Sequence, residues 1–294
     1  MRWQWRRRLW QGGAWLAAAL VLGFCVQAFV REPAQLVERD QLLALPGWTP
    51  ECDGLRVDVL ADIHTGSPHN GLDKLDRIVA TVAAGDADLV LLAGDYLILS
   101  VFLGSYVPPE QVAARLRRLA AAKPVYGVLG NHDWWKGGER VAHAFEAAGV
   151  RMIDNRSLPV QLDGCRLWLA GIGDLWEGRP DVAAAFAGIP DDGAPVLALS
   201  HHPDVFALVP ARASLLVAGH THGGQVSFAP LVDPRVGTPW IRGHYVEDGR
   251  HLFVSPGLGT SILPMRFRVP PEISRLTLRM QGPAAGAAES GADR

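Results

Sequence analysis

Five short motifs contain the residue types that bind metal ions or carry protons. Asp62 is separated by one residue from His64, and His220 by one residue from His222. Alternate residues of an extended chain project to the same side, so each pair can address a single point. The other motifs are Gly94-Asp95, Gly130-Asn131-His132-Asp133 and Ser200-His201-His202.

Together these motifs supply carboxylates, imidazoles and one amide, without sulfur. Such donors suit Mn, Fe, Zn or Co ions. These donors are more than one metal ion can bind in a tetrahedral or octahedral coordination shell. Two ions about 3.5 to 4 Å apart that share a carboxylate can use them all. Such a pair lowers the pKa of a bridging water toward ~7 and binds two oxygens of a phosphate. The residue types therefore predict hydrolysis of a phosphate ester.

The motifs follow predicted strands. Residues 55–61, 89–93 and 124–129 are predicted to be strands, and apolar spacing predicts helices at 72–82 and 108–119 between them. This alternation indicates a largely parallel sheet with helices outside it. Ligands of such sheets collect beyond the carboxyl ends of the strands, which is where the motifs lie.

The second half of the chain changes character, because its predicted strands have shorter connections and fewer helices between them. These strands are residues 160–162, 167–170, 196–199, 215–218, 251–254 and 273–278. They predict a second, mixed sheet. We therefore expect an α/β fold with four layers, α/β/β/α, in which two mixed sheets pack together between outer helices.

Composition excludes several classes of protein. A chain of 294 residues with 49% hydrophobic and 20% charged residues can bury a sizeable core. Its formal net charge of −2 gives no reason to expect nucleic acid as a partner. Its 3 cysteines have no zinc-finger spacing, although Cys52 and Cys165 could pair in an oxidising compartment. The sequence makes no prediction of oligomeric state.

The amino terminus can cross a membrane. Arginines occupy four of the first eight positions, and residues 9–30 carry no formal charge. About 20 apolar residues suffice to span a bilayer, and the arginines predict a cytoplasmic amino end with the remaining chain outside. We favour an uncleaved anchor. Signal cleavage near residues 26–28 and twin-arginine export through Arg6-Arg7 are the alternatives, whereas a buried amphipathic helix lacks the necessary polar stripe.

These patterns divide the chain into four segments. Residues 1–34 are expected to be a basic segment and membrane anchor or signal, and residues 35–54 a connector. Residues 55–280 are expected to form the catalytic domain. Residues 281–294 are small, polar and non-periodic, and are expected to be a disordered tail.

The motifs D-x-H, G-D, G-N-H-D, H and G-H-x-H, in this order, resemble the calcineurin-like metallophosphoesterase superfamily from about residue 55 to residue 278. The stretch at residues 254–274, with the export segment, is similar to its bacterial membrane-associated phosphodiesterase branch, in which some relatives act as UDP-diacylglucosamine pyrophosphatases. The resemblance implies in-line attack on phosphorus by a metal-bridging hydroxide. The expected substrate is a phosphodiester or a pyrophosphate, and a membrane anchor favours one that is linked to a lipid. Manganese is the first choice of metal.

The same resemblance implies a role for each site residue. Asp133 would orient His132, which would contact the phosphate and assist the leaving group. Asp95 would bridge two divalent ions. The ligands of the first ion would be Asp62, His64 and His222, and those of the second Asn131, His201 and His220.

Several neighbours have more than one interpretation. His202 is the reserve for His201, and Trp134 and Trp135 either pack at a helix start or stack on a base or lipid. The segment 257–260 and Arg266 could bind phosphate, although Gly-x-Gly is more often a tight turn. A catalytically idle metal-binding scaffold and a nuclease are the rival functions.

Overall fold

The computed structural model describes residues 2–227 and 238–282. These residues contain six α-helices and twelve strands. The helices are α1 (Arg2–Val26), α2 (Leu72–Ala84), α3 (Pro109–Ala122), α4 (Asn131–Trp135), α5 (Gly138–Ala147) and α6 (Val182–Ala187). The strands are β1 (Val37–Leu45), β2 (Leu55–Leu60), β3 (Leu89–Ala93), β4 (Val125–Val128), β5 (Arg151–Met152), β6 (Arg156–Leu162), β7 (Cys165–Ile172), β8 (Val196–Ser200), β9 (Leu215–Ala218), β10 (Gly243–Glu247), β11 (Arg250–Val254) and β12 (Glu272–Met280).

Two six-stranded mixed sheets form the centre of the molecule. The first has the order β1-β12-β2-β3-β4-β5, and the second β10-β11-β9-β8-β7-β6. Strands β2 to β5 are parallel to one another, as are β7, β8, β9 and β11. The carboxyl ends of the parallel strands therefore lie at one edge of each sheet.

Apolar side chains hold the layers together. Leucines of β3 and β8 are buried between the two sheets. Helices α2, α3 and α5 cover the outer face of the first sheet, while α6 and the turn Pro203–Leu208 cover the second. The amphipathic spacing of α2 explains its position, because Leu75, Ile78, Val79 and Val82 are all buried. The predicted four-layer α/β/β/α architecture is confirmed.

The segment 35–54 is more than the connector expected from the sequence. It contains β1, which pairs in parallel with β12 at the edge of the first sheet, so the folded domain begins near Val37. Only Leu43 and Leu45 of this strand are fully buried. Its polar first half lacks the apolar alternation that reveals a strand. Of the expected tail 281–294, residues 283–294 lie outside the described residues.

Helix α1 is apolar and exposed along most of its length, and it continues into the turn Gln27–Arg31. Its residues 8–31 are long and apolar enough to cross a membrane. On the domain, Cys52 and Cys165 form a disulfide that joins the segment before β2 to the start of β7. The disulfide thus links the two sheets.

Candidate metal centre

The site lies beyond the carboxyl ends of five strands. Asp62 and His64 follow β2, Asp95 follows β3, Asn131 and His132 follow β4, His201 follows β8, and His220 and His222 follow β9. The two sheets bring these ends together in one place. Residues separated by up to 158 positions are therefore within hydrogen-bond distance of each other.

Asp62, His64 and His222 form the first group of donors. The Nε2 atoms of His64 and His222 face each other at 3.0 Å, and Oδ1 of Asp62 lies 3.6 Å from Nε2 of His222. Nδ1 of His64 lies 3.1 Å from the carbonyl oxygen of Leu97. Because that carbonyl can only accept, the proton of His64 is on Nδ1, and Nε2 presents a lone pair to the site.

His201, Asn131 and His220 form the second group. Nδ1 of His201 donates to the carbonyl oxygen of Ala93 at 2.8 Å, so Nε2 of the neutral imidazole presents a lone pair. This Nε2 lies 3.2 Å from Oδ1 of Asn131 and 3.1 Å from Nδ1 of His220. Ligand atoms of Asn131 and His220 thus converge on Nε2 of His201.

Asp95 lies between the two groups. Its Oδ2 atom is 3.5 Å from Nε2 of His64 and 3.4 Å from Nε2 of His201. Its Oδ1 atom accepts the backbone N–H of His132 at 2.9 Å, which fixes the orientation of the carboxylate. One carboxylate oxygen therefore faces both groups at once.

Divalent cations fit these residues. Converging lone pairs on buried nitrogen and oxygen atoms repel one another unless a cation lies between them. Three groups in the described part of the chain have donors close enough to hold an ion: Asp62 with His64 and His222, Asp62 with Asp95 and His201, and His64 with Asp95 and His132. Because they share members, the donors form one continuous centre.

The charge states of the buried groups are consistent with a cation site. Burial lowers the pKa of His64 to about 3, so this imidazole is in the neutral form that binds metals. Burial also holds the pKa values of His220 and His222 well below their ordinary range. His201 differs, because burial lowers its pKa but Asp95 and Asp62 raise it to about 10. The carboxylates of the site therefore favour positive charge beside them.

Backbone strain is concentrated at the same place. Asp62, His64, Asp95, His220 and His222 all have positive φ angles, between 43° and 70°. Left-handed conformations are uncommon for residues other than glycine and cost on the order of 1 to 3 kcal/mol each. Five of them in one site require strong support from the surrounding structure, and such clusters are typical of functional sites.

Glycine is required where two motifs approach each other. A Cβ atom on Gly219 would lie 2.7 Å from Oδ2 of Asp62. One on Gly130 would collide with Oδ1 of Asp95. In each case a side chain would push directly on a carboxylate of the site.

His132 and Asp133 lie in the first turn of helix α4, but they do not interact as the family resemblance implies. The carboxylate of Asp133 accepts the backbone N–H groups of Asp95, Tyr96, Leu97 and Gly130. Nδ1 of His132 instead accepts the backbone N–H of Leu99 at 3.1 Å. The prediction that Asp133 orients His132 is therefore wrong, because the helix start directs this carboxylate back toward the backbone of the Asp95 loop.

The phosphate-binding alternative for Arg266 is also wrong. Arg266 is completely buried, and its guanidinium donates to the carbonyl oxygens of Gly259, Val269 and Pro256. The segment 257–260 packs on the first motif, where the N–H of Gly259 donates to the carbonyl oxygen of Asp62 at 2.7 Å. These residues support the site from behind.

The structure also describes the other neighbours of the motifs. Nδ1 of His202 faces Asp204, whereas His201 contacts Asp95 and Asn131. Trp134 packs against the core at the helix start. Trp135 is partly exposed, and its ring centroid lies 5.2 Å from that of His132.

Asp174 and Trp176 were missed by sequence reasoning. Asp174 is fully buried after β7, and its Oδ1 accepts the N–H groups of Trp176 and Glu177. This turn places the exposed Trp176 ring edge-on to His220, with 4.7 Å between centroids. Asp174 lies two residues after the end of β7, so the rule that ligands gather at strand ends also predicts it.

Nitrogen and oxygen donors at the strand ends of an α/β/β/α fold define a class, the metal-dependent hydrolases of phosphate esters. The chain belongs to the calcineurin-like phosphoesterase family, whose model matches residues 55–224. It is thus a metal-dependent phosphoesterase.

Curated relatives cover most of the chain. An uncharacterized metallophosphoesterase of Bacillus subtilis, YkuE, is 30% identical over 77% of this chain and 80% of its own. The phosphodiesterase YaeI of Escherichia coli is 29% identical over 74% of this chain and 80% of its own. A zebrafish transmembrane protein with a metallophosphoesterase domain is 30% identical over 77% of this chain, which spans only 54% of that longer protein.

Solved structures are more distant. A 5'-nucleotidase precursor from Thermus thermophilus aligns over 68% of this chain and 48% of its own, with 16% identity and a TM-score of 0.45. A likeness at this level gives no information about the substrate.

Proposed function

We propose that the protein is a membrane-anchored, dinuclear metal-dependent phosphodiesterase. The observation that carries this proposal is the position of Asp95, whose Oδ2 atom faces His64 at 3.5 Å and His201 at 3.4 Å. A carboxylate between two sets of donors is what a shared pair of ions requires.

The proposed ligands follow from the two groups. Asp62, His64 and His222 would hold one ion, and Asn131, His201 and His220 the other, with Asp95 common to both. When bound, divalent ions at such a site lower the pKa of a coordinated water toward ~7 and offset the charge of a phosphate. Manganese is the proposed metal, since the donors are oxygen and imidazole nitrogen without sulfur.

His132 is the proposed catalytic side chain. Because its Nδ1 accepts the N–H of Leu99, its proton is carried on Nε2, on the side that faces the site. Nε2 can donate a hydrogen bond to a phosphoryl or leaving-group oxygen. Its side chain is only 12% exposed, so this bond forms largely out of bulk water.

Asp133 is proposed as a positioning residue. Its four backbone hydrogen bonds hold the Asp95 loop and the start of α4 in a fixed relation. The proposed ligand Asp95 and the proposed hydrogen-bond donor His132 are thereby kept at a constant separation. Fixed groups of this kind lose little freedom when the reaction begins.

A phosphodiester is the proposed substrate, supported by the name of the E. coli relative as a phosphodiesterase. A pyrophosphate linkage is the second possibility, because it offers the same pair of phosphoryl oxygens. Apolar residues 8–31 support a membrane anchor. The arginines before the helix and the disulfide in the domain support an extracytoplasmic site.

The test is hydrolysis of bis(p-nitrophenyl) phosphate by the full chain in detergent. We expect turnover with Mn²⁺, loss after chelation and recovery when Mn²⁺ is returned. Elemental analysis should find about two metal ions per active chain. An idle scaffold would bind metal without any metal-restored turnover, and a chain with one ion at full activity would contradict the dinuclear proposal.

A further inference from the structure

Two loops beside the site join to form an exposed apolar surface. They are residues 99–104 and 261–265, which we call the apolar rim. The backbone N–H of Phe102 donates to the carbonyl oxygen of Ile262 at 3.1 Å, and Val101 forms a bridge with Ile262. Leu103 is 77% exposed and Ile262 75% exposed. Apolar side chains exposed to this degree in two joined loops indicate an interaction surface.

The rim is continuous with the candidate membrane helix. The N–H of Arg266, next to the rim, donates to the carbonyl oxygen of Ala28 at 2.9 Å. The rings of Phe24 and Phe267 have centroids 5.0 Å apart. Phe24 and Ala28 belong to the last two turns of the apolar segment 8–31. The rim therefore lies beside the end of the helix, at the level where a spanning helix leaves the bilayer.

The rim is also attached to the metal centre. Leu99, at one end of it, donates its backbone N–H to Nδ1 of His132. The backbone N–H of Gln225 donates to the carbonyl oxygen of His222. Its side-chain Nε2 donates to the carbonyl oxygens of Ser261 and Leu263 at 3.2 and 3.1 Å. The first loop is thus one hydrogen bond from His132, and the second is linked to His222 through Gln225.

The composition of the loops favours lipid as the partner. Residues 98–106 and 258–265 contain no charged side chain. A surface that met water or a polar partner would not need a contiguous uncharged stretch in both loops. A bilayer is already present at this level if the helix spans it, so docking there requires no second molecule.

We infer that the apolar rim inserts into the surface of the bilayer that helix α1 crosses, so that the metal centre opens among the lipid headgroups. This inference rests on the proposed function and deepens it. The substrate is then an amphiphile, a phosphodiester whose apolar part stays in the membrane while its phosphate enters the site.

The first experiment measures insertion. The full chain, with Cys25 replaced by serine, carries one environment-sensitive fluorophore at Leu103→Cys. It is reconstituted into phosphatidylethanolamine and phosphatidylglycerol vesicles that contain brominated lipid. The matched control is Leu42→Cys, which is 67% exposed and lies on β1 level with Arg56, at the opposite end of β2 from the site.

We expect bromine to quench the fluorophore at position 103 but not at position 42. Equal quenching at both positions, or at neither, overturns the inference. A signal at position 103 that depends on protein concentration and not on bromine would mean that a second copy covers the rim, which also overturns it.

The second experiment compares substrates. The p-nitrophenyl ester of phosphatidic acid, a phosphodiester with an apolar anchor, is presented in vesicles and compared with soluble bis(p-nitrophenyl) phosphate. For Leu103→Asp and Ile262→Asp the ratio of the rate on vesicles to the rate on the soluble diester should fall about tenfold. Each change removes one apolar side chain that the bilayer would otherwise bury. Leu42→Asp should leave the ratio unchanged.

An unchanged ratio in the rim variants would contradict the inference even if bis(p-nitrophenyl) phosphate is hydrolysed normally. Conversely, no turnover of the soluble diester by the unmodified chain refutes the proposed function. The quenching measurement would still decide whether the rim inserts. The two failures are therefore distinguishable.

Discussion

The carboxylate of Asp133 accepts the backbone N–H of Asp95 at 2.9 Å, across 38 positions of sequence. Its two oxygens together accept four N–H groups, and three of these belong to the loop after β3. The residue that follows the proposed catalytic histidine therefore stabilises the loop of the proposed bridging ligand. This connection ties the two motifs into one rigid unit.

We predict that Asp133→Asn lowers metal affinity. The amide group of asparagine must replace one carboxylate oxygen, and its N–H atoms would then face two backbone N–H donors. Each buried N–H that loses its acceptor costs about 1 to 3 kcal/mol. The Asp95 loop should shift, and the Mn²⁺ concentration for half-maximal activity should rise about tenfold or more. Normal metal affinity with reduced turnover would contradict a positioning role.

His132→Ala should have the opposite profile. Metal content is expected to stay near normal, while turnover of bis(p-nitrophenyl) phosphate falls by roughly 10² or more, as for the loss of a positioned proton-carrying group. His132→Gln retains an N–H donor on its side chain and should recover part of the loss. Loss of both ions in the alanine variant, by elemental analysis, would show that His132 is needed as a ligand.

Gly219→Ala tests how closely the motifs approach. A methyl group at this position would lie 2.7 Å from Oδ2 of Asp62, so the carboxylate must move. Overpacking of this kind costs roughly 1 to 3 kcal/mol, which predicts about a tenfold or greater loss of metal affinity. The control is Gly71→Ala, where a Cβ atom meets nothing within 4 Å. Equal effects of the two changes, by Mn²⁺ titration, would contradict the close approach.

The sequence predicted the site better than its surroundings, for a physical reason. The rule that parallel strands deliver ligands at their carboxyl ends depends on local patterns, and residues such as Asp62, Asp95 and His201 are read directly from them. The partner of Asp133 depends on how helix α4 is oriented after β4, which no local pattern encodes. Strand β1 was missed because it is a largely polar edge strand whose identity depends on pairing with β12.

The apolar rim, too, could not be predicted from the sequence. Phe102 and Ile262 are separated by 160 positions and form a hydrogen bond only because their loops leave the fold at the same place. Uncharged residues in either loop are unremarkable by themselves. The contact between the two loops, and the contact of the adjacent Arg266 and Phe267 with the end of the apolar segment, indicate their role, and both belong to the three-dimensional structure.

Lys74 should make stability depend on pH. Burial, with Arg266 and Arg77 nearby, lowers the pKa of this amine from 10.5 to about 7, and its Nζ donates to the carbonyl oxygen of Pro33 at 2.9 Å. Between these two pH values the unfolded chain holds the proton more tightly, so stability rises with pH. The unfavourable contribution is complete below about pH 7 and absent above pH 10.5.

Lys74→Met removes this dependence. The free energy of unfolding of the wild type minus that of the variant should increase by a few kcal/mol from pH 7 to pH 10, since each pKa unit corresponds to about 1.4 kcal/mol. Thermal unfolding of both chains in the same detergent and metal buffer measures the difference. Parallel stability curves over this range would mean that the amine is not perturbed in the folded chain.

The disulfide between Cys52 and Cys165 should report both stability and location. It closes a sequence separation of 113 residues and joins the two sheets, so replacing both cysteines by alanine should cost about 2 to 5 kcal/mol in unfolding by denaturant. Such a bond persists only in an oxidising compartment. When cells are quenched with acid and the protein is then denatured in a thiol-reactive polymer, we therefore expect neither cysteine of the Cys25→Ser chain to be labelled until a reductant is added. Labelling without reductant would place the domain on the reducing, cytoplasmic side and contradict the proposed orientation.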